Sequence, residues 1–228
     1  MVGGSLLLGA AGCTDKFEEF NTNPKAPTMD QMEGDFSYTA TLIGNMIPVV
    51  AIGQENDYQM NNQMIGCEYG RMTSASNNWG TDGMFANYNP RLGWQGYLFN
   101  NLMPNYMYTP FFKIRDTSNG EGLVYHWANL LRIFGTVRVS DCYGPTPFSM
   151  VGGGDSYSVA YDDMPDLYNA MFEELDASIE ALKSAAGSGT NSTFANTDYV
   201  YHGDISKWVK FANTLKLRMA LRIVNPNP

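Results

Sequence analysis

Histidine, cysteine and charge are all scarce in this chain of 228 residues, and each shortage removes a class of function. There are two histidines, His126 and His202, and neither belongs to an HExxH pattern. No GxSxG elbow occurs, and "VGGGDS" at 151–156 lacks the preceding strand and the lysine of a phosphate-cradling loop. Paired acids such as Asp162/Asp163 and Glu173/Glu174 exist, and a glycosidase needs two carboxylates about 5 to 10 Å apart across the bond it cuts. Asp162 and Asp163 serve better as a helix N-cap, however, and Glu173 and Glu174 as the solvated face of a helix. The composition therefore points away from an enzyme, and no cofactor or metal set is expected. Basic residues are also few: 14 Lys and Arg against 23 Asp and Glu leave a net charge of −9. A surface of that sign is repelled by phosphate backbones, which argues against nucleic acid as a partner.

Of the three cysteines, Cys13 has the most informative position. It follows a short apolar run (Leu6, Leu7, Leu8) and the small residues Ala10, Ala11 and Gly12, and an acidic, polar stretch follows it. The run is too short for a transmembrane span, and later in the chain no apolar run is long enough either. A cleaved signal over residues 1–12 with Cys13 as the lipidated first residue fits the pattern, although no basic residue precedes it. Cys67 and Cys142 then remain. They form a pair in an oxidising compartment or stay as two separately buried thiols.

Residues 13–30 read as an extended tether, with Asn21, Asn23, Pro24 and Pro27 disfavouring regular structure. Helical periodicity begins near Met29 and stops before Pro48, and a Met- and Gln-rich helical stretch covers about Gln54 to Met72. Three helices have clearer signals. The first spans about Glu121 to Val139, with Leu123, Trp127, Leu130, Phe134 and Val137 on one face. The second begins at an Asp162 or Asp163 cap with Pro165 in its first turn, aligns Leu167, Met171, Leu175, Ile179 and Leu182, and ends at Gly187. The third starts after Asp204 or Ser206 and carries Trp208, Phe211, Leu215 and Met219. Turn or strand-like segments separate them near "YGPTPFS" (143–149) and "GSGTNSTF" (187–194). The fold expected is mostly α, with stacked helix pairs, long loops and minor β-hairpins over residues 31–228.

Between residues 69 and 112 the composition changes: eleven aromatics and seven asparagines stand beside three charges, Arg71, Asp82 and Arg91. Gly80, Gly83, Pro90 and Gly93 break the first part into loop, and Leu92 to Met103 has helical character. Sugars present flat C–H faces and rims of hydroxyls. Aromatic rings cover the faces, and amides, carboxylates and guanidinium groups satisfy the rims. The segment "ASNNWGTDGMFANYNPR" (75–91) supplies that mixture in Asn77, Asn78, Trp79, Asp82, Tyr88, Asn89 and Arg91, which are the candidate ligand-binding residues. Trp79 has no apolar period around it, so exposure and core packing both remain open. Trp94, Tyr97 and Leu98 favour the core, as do Trp127 and Trp208.

Several of these segments, taken in order, resemble the SusD/RagB type of outer-membrane lipoprotein. "CTDKFEEFNTNPKAPT" after the apolar run is similar to that family's mature start, and "DCYGPTPFS" (141–149) to its turn after a long helix. "YDDMPDLYNAMFEELDASIEAL" (161–182) and "DISKWVKFANTLKLRMALRI" (204–223) resemble its next two helices. The resemblance implies tetratricopeptide-like helical repeats in a lipoprotein of the cell outer membrane, surface-exposed and anchored through Cys13. It implies binding of an oligosaccharide or other nutrient, delivered to a SusC-like TonB-dependent transporter. It also implies that the chain is the N-terminal part of a longer protein, with later helices covering the wide apolar arc of the last helix (Val209, Leu217 and Leu221 beyond its main stripe). The alternative from another class is a lipid-anchored helical-repeat scaffold that binds only protein.

Overall fold

The computed structural model describes residues 36–53, 56–74, 85–154, 158–187 and 192–225, and within these it is mostly helical. The signal segment, Cys13 and the tether lie outside the described residues. Helix α1 (Ser37–Met46) runs into a 3-10 turn, Ile47–Val49, that accommodates Pro48 in its first positions. Helix α2 (Asn56–Tyr58) continues as a π-helix, π1 (Gln59–Cys67). After a 3-10 turn, Phe85–Asn87, come α3 (Leu92–Gln95), a second π-helix, π2 (Leu98–Tyr108), and α4 (Thr109–Ser118). Helices α5 (Gly122–Tyr143), α6 (Met164–Ala185), α7 (Ser192–Thr197) and α8 (Ile205–Arg222) complete the order.

Helix α5 is the central post. Helices α4 and α6 pack along it, α8 lies against α6, and α1 crosses α4, α5 and α7. Its burial is wider than one stripe: Trp127, Leu130, Leu131, Ile133 and Val137 are all buried. An apolar surface of that width needs neighbours on several sides, and α5 has them. On α6 the expected stripe is the observed one, with Leu167, Met171, Leu175, Ile179 and Leu182 all inside. On α8, Trp208, Leu215 and Met219 are buried and Phe211 is half-buried, while Leu217 and Leu221 remain exposed.

Four expectations are corrected. Helical structure does not stop near Met103 but continues through Pro104 and Pro110 to Ser118. The π winding makes this possible: a proline has no N–H to donate, and the Thr109 N–H bonds Pro104 O, five residues back. An isolated bridge joins Thr146 to Asp162 in place of a hairpin there, and residues 192–197 are helical. The bridge reflects the third correction. The Asp162 carboxylate caps no helix; it accepts the N–H groups of Phe148 (2.8 Å) and Ser149 (3.2 Å) and the Ser149 hydroxyl, and so closes the "GPTPFS" turn. Asp163 holds the N-cap position with an extended backbone but without a side-chain cap bond. Fourth, Glu173 is exposed, but Glu174 is half-buried and committed to an ion pair. Glu174 pairs with Arg132, whose guanidinium lies 4.6 Å from the Phe111 ring and 4.0 Å from the Phe148 ring and whose Nε donates to Asn129 Oδ1. A buried cation needs this full set of partners, and the sequence pattern of α6 does not reveal that its partner is an α5 arginine.

The remaining cap expectation holds. Asp204 caps α8 by accepting the Lys207 N–H at 3.2 Å. Just before it, the fully buried Asp198 accepts from the N–H groups of Val200, Tyr201 and Gly203 and from Trp208 Nε1 at 2.7 Å. That carboxylate pins the turn and the largest side chain of α8 together. Cys67 is half-buried, Cys142 is exposed, and both are free, so neither the pair nor two buried thiols is observed. Among the described residues no helix is long and apolar enough to cross a membrane.

Candidate functional site

The aromatic surface grows from the junction of π1, the 3-10 turn and α3. Phe85 is the buried seed, at 2% exposure, and Met60, Tyr69 and Trp94 pack around it. Tyr69 meets Phe85 edge-on with centroids 5.5 Å apart, and Tyr88 lies parallel to Tyr69, also at 5.5 Å. Burial raises the pKa of the Tyr69 hydroxyl, with further upward contributions from Tyr88 and Glu68. Tyr88 has a positive φ of 55° and is 63% exposed. A tyrosine in the left-handed region is uncommon, and here that conformation stands the ring on Tyr69 at the surface.

An open groove of about 480 Å³ adjoins this stack, lined by Glu68, Arg71, Met72, Thr73, Ser74, Ala86 and Tyr88. Glu68 fastens its wall by accepting the Ala86 N–H at 2.9 Å. The groove therefore offers an exposed ring face beside hydroxyls, a carboxylate and a guanidinium. Such a surface suits a ligand with an apolar face and a hydroxylated rim.

The predicted site residues divide into three groups. Tyr88 lines the groove, and Asn89, next in sequence, is exposed beside it. Arg91 lies instead over the Trp94 ring, 4.7 Å from its centroid, and packs with that side chain. Asn77, Asn78, Trp79 and Asp82 lie outside the described residues. Of the residues expected in the core, Leu98 is buried and Trp94 only half-buried. Tyr97 is half-buried and directs its hydroxyl to Asp57. Tyr69, Glu68 and Arg71 were not singled out from the sequence. They fall at the end of the Met- and Gln-rich helical stretch, with Tyr69 and Arg71 also opening the aromatic one, but neither pattern shows that this helix end meets Phe85 and Tyr88. Elsewhere, His126 is half-buried with Nδ1 3.4 Å from Ser178 Oγ, and burial lowers its pKa. Among the described residues no group of three or more His, Cys, Asp or Glu could hold a metal ion.

Comparison with known proteins places this architecture. A family profile described as "SusD-like: Susd and RagB outer membrane lipoprotein" matches residues 19–228. The chain belongs to the SusD-like family. Among solved structures it is similar to a SusD-like protein from Bacteroides thetaiotaomicron, with 36% identity and a TM-score of 0.74 over 81% of this chain and 38% of that one. A SusD homologue from Bacteroides ovatus matches at 34% identity and a TM-score of 0.72, covering 82% and 37%. A chitin-binding SusD homologue from Flavobacterium johnsoniae is 27% identical, with a TM-score of 0.54, 85% of this chain and 39% of its own length covered. The chain thus spans under two fifths of the length of these relatives. No curated protein matches it. The SusD-like helical architecture anticipated from the ordered motifs is the one observed, in a family of outer-membrane lipoproteins.

Proposed function

We propose that this SusD-like chain contributes to a glycan-binding surface on an outer-membrane lipoprotein, anchored through lipid on Cys13, that passes its ligand to a SusC-like TonB-dependent transporter. The observation that carries the reading is the Tyr69–Tyr88 stack with its outer ring exposed over a polar groove. A ring of that kind contributes little to a core and is suited to cover a sugar face. Two solved relatives described as chitin-binding, at 28% and 27% identity, make β-linked N-acetylglucosamine oligomers the first probe. The role is binding and not catalysis: the acid pairs visible in the sequence are occupied, Asp162 by the turn it closes and Glu174 by Arg132. Trp79 and its neighbouring asparagines are proposed to extend the same surface.

The test is isothermal titration of the natural full-length protein with chitohexaose, followed by a polysaccharide panel. Tyr88→Ala is expected to weaken binding tenfold or more, since a central interface aromatic contributes at least ~1 to 2 kcal/mol. Stability should change by less than ~0.5 kcal/mol, as for other exposed positions. Unchanged affinity for every bound glycan in Tyr88→Ala and in Trp79→Ala would overturn the reading. Anchoring is checked separately: Cys13→Ala should abolish incorporation of labelled palmitate and release the protein from the membrane fraction.

A further inference from the structure

The carboxylate of Asp57 sits at the opposite end of the α2–π1 segment from Tyr69 and has an unusual set of partners. Its Oδ1 accepts from the Tyr97 hydroxyl at 2.7 Å and from Asn101 Nδ2 at 3.0 Å, and its Oδ2 accepts from the Tyr106 hydroxyl at 2.6 Å. All three donors are uncharged, and all three come from the stretch that begins one residue before π2 and runs along it.

That convergence depends on the π winding. Tyr97 and Tyr106 are nine residues apart, which in an α-helix of about 3.6 residues per turn is two and a half turns, placing them on opposite faces. With each N–H reaching back five residues the turn widens, and nine residues make close to two turns, which brings both hydroxyls to one face. Pro104 lies within this stretch, where the lost N–H already disfavours regular α bonding. The π segment is thus the device that gathers three donors onto one carboxylate.

Among the described side chains, the apolar fastening of the α2–π1 segment is slight. Met60 and Tyr69 rest on Phe85, the one fully buried side chain of that cluster. Asn62 Oδ1 accepts from Arg138 at 2.7 Å, tying the middle of the segment to α5. Asp57 is the fastening at the end that starts the segment, and it fastens to the strand of helix that also carries Trp94 at its head.

We propose that Asp57 is the positioning residue of the aromatic site: by docking α2–π1 on π2 it sets Tyr69, and with it Tyr88, against Phe85 and Trp94. This role rests on the reading of that surface as the ligand site, but the alignment of the rings can be measured without ligand. The full chain is prepared with 3-fluorotyrosine, and the Tyr69 and Tyr88 fluorine resonances are assigned with Tyr69→Phe and Tyr88→Phe.

In Asp57→Ala and Asp57→Asn both resonances should move to the free-ring position, while far-UV circular dichroism and the main melting transition stay as in the wild type. Asp57→Glu, which keeps the charge and both acceptors, should retain part of the stacked signal. Chitohexaose affinity, where the wild type binds it, should fall at least fivefold in Asp57→Ala and less in Asp57→Glu. Tyr69 and Tyr88 resonances unmoved in Asp57→Ala would overturn the proposal. If Asp57→Ala does not fold, the double variant Tyr97→Phe/Tyr106→Phe decides by the same resonances. A wild type with stacked rings that binds no glycan overturns the ligand reading alone and leaves the positioning role to the fluorine signals.

Discussion

The block of α5, α6 and α8 and the segment from α2 to α3 are built on different physics. In the block, Trp127, Leu130, Met171, Leu175, Leu182, Trp208 and Met219 have essentially no exposure and form one continuous core. Among the described residues of the segment, Phe85 is the one fully buried member of its cluster, and polar contacts supply the other fastenings: Asp57 on three donors, Asn62 on Arg138, and Glu68 on a backbone N–H. Burial is non-directional and summed over many residues, so the block tolerates small shifts and resists unfolding. Hydrogen bonds are directional and each contributes only ~0.5 to 1.5 kcal/mol net, so the segment is accurately aimed but lightly held. A rigid scaffold that presents a finely oriented, locally weak surface is the arrangement expected where binding groups sit on connecting segments.

The most severe way to break the comparison is Trp208→Ala. It empties a fully buried site and leaves Asp198 without its side-chain donor. A loss of ~3 to 5 kcal/mol is expected in urea denaturation, enough to unfold block and segment together. A loss confined to one of them would show that they fold as independent units.

Gly135 tests how the block packs on π2, the helix on which the segment docks through Asp57. It lies on α5, and a Cβ there would come 2.5 Å from Met107 Sδ of π2 and 2.9 Å from Val49 Cγ1. Gly135→Ala gains helix propensity but overpacks the contact, for a net loss of ~1 to 3 kcal/mol. Because Met107 is flexible and Val49 β-branched, Met107→Ala in the same chain should recover part of that loss. Thermal melts of the single and double variants decide this.

The smallest and most local effect is alkaline. The Tyr97 hydroxyl is pushed up to about 12 by burial and by its hydrogen bond to Asp57, and that of Tyr106 to about 12 by the Asp57 bond first and burial second. Both are raised above the ordinary value of 10, so the folded state holds these protons longer than the unfolded one. Their stabilising contribution is therefore complete below pH 10 and is lost as pH rises from 10 through 12. Asp57→Asn should lower both values and shift part of the tyrosinate absorbance change to lower pH. Superimposable titrations of the two proteins would separate these tyrosines from Asp57.

Much of the block was readable in the chain. Residues 167–182 repeat their apolar positions at helical spacing, Asp204 precedes α8 as a cap, and Trp127 and Trp208 fall on stripes that become core. The segment was read less completely. Its aromatic and asparagine content marks it as different, and Tyr88 and Asn89, expected as ligand contacts, are exposed. Arg91 was assigned to ligand and stands on Trp94, and Glu174 was assigned to solvent and holds Arg132. Trp94 is only three residues from Arg91, whereas Arg132 is 42 residues from Glu174 on another helix, and no periodicity carries that second pairing.

Local covalent chemistry and spacing determined the helices, their caps and the apolar faces, because those depend on residues within a turn or two of one another. Tertiary structure alone decided which donors meet Asp57, which arginine neutralises Glu174 and which ring lies under Tyr88. Those pairings span 40 to 49 residues for Asp57, 42 for Glu174 and, through Glu68 and Ala86, 18 across the groove. They arise from helix packing and from a π winding that rotates side chains away from the faces an α-helix would give them.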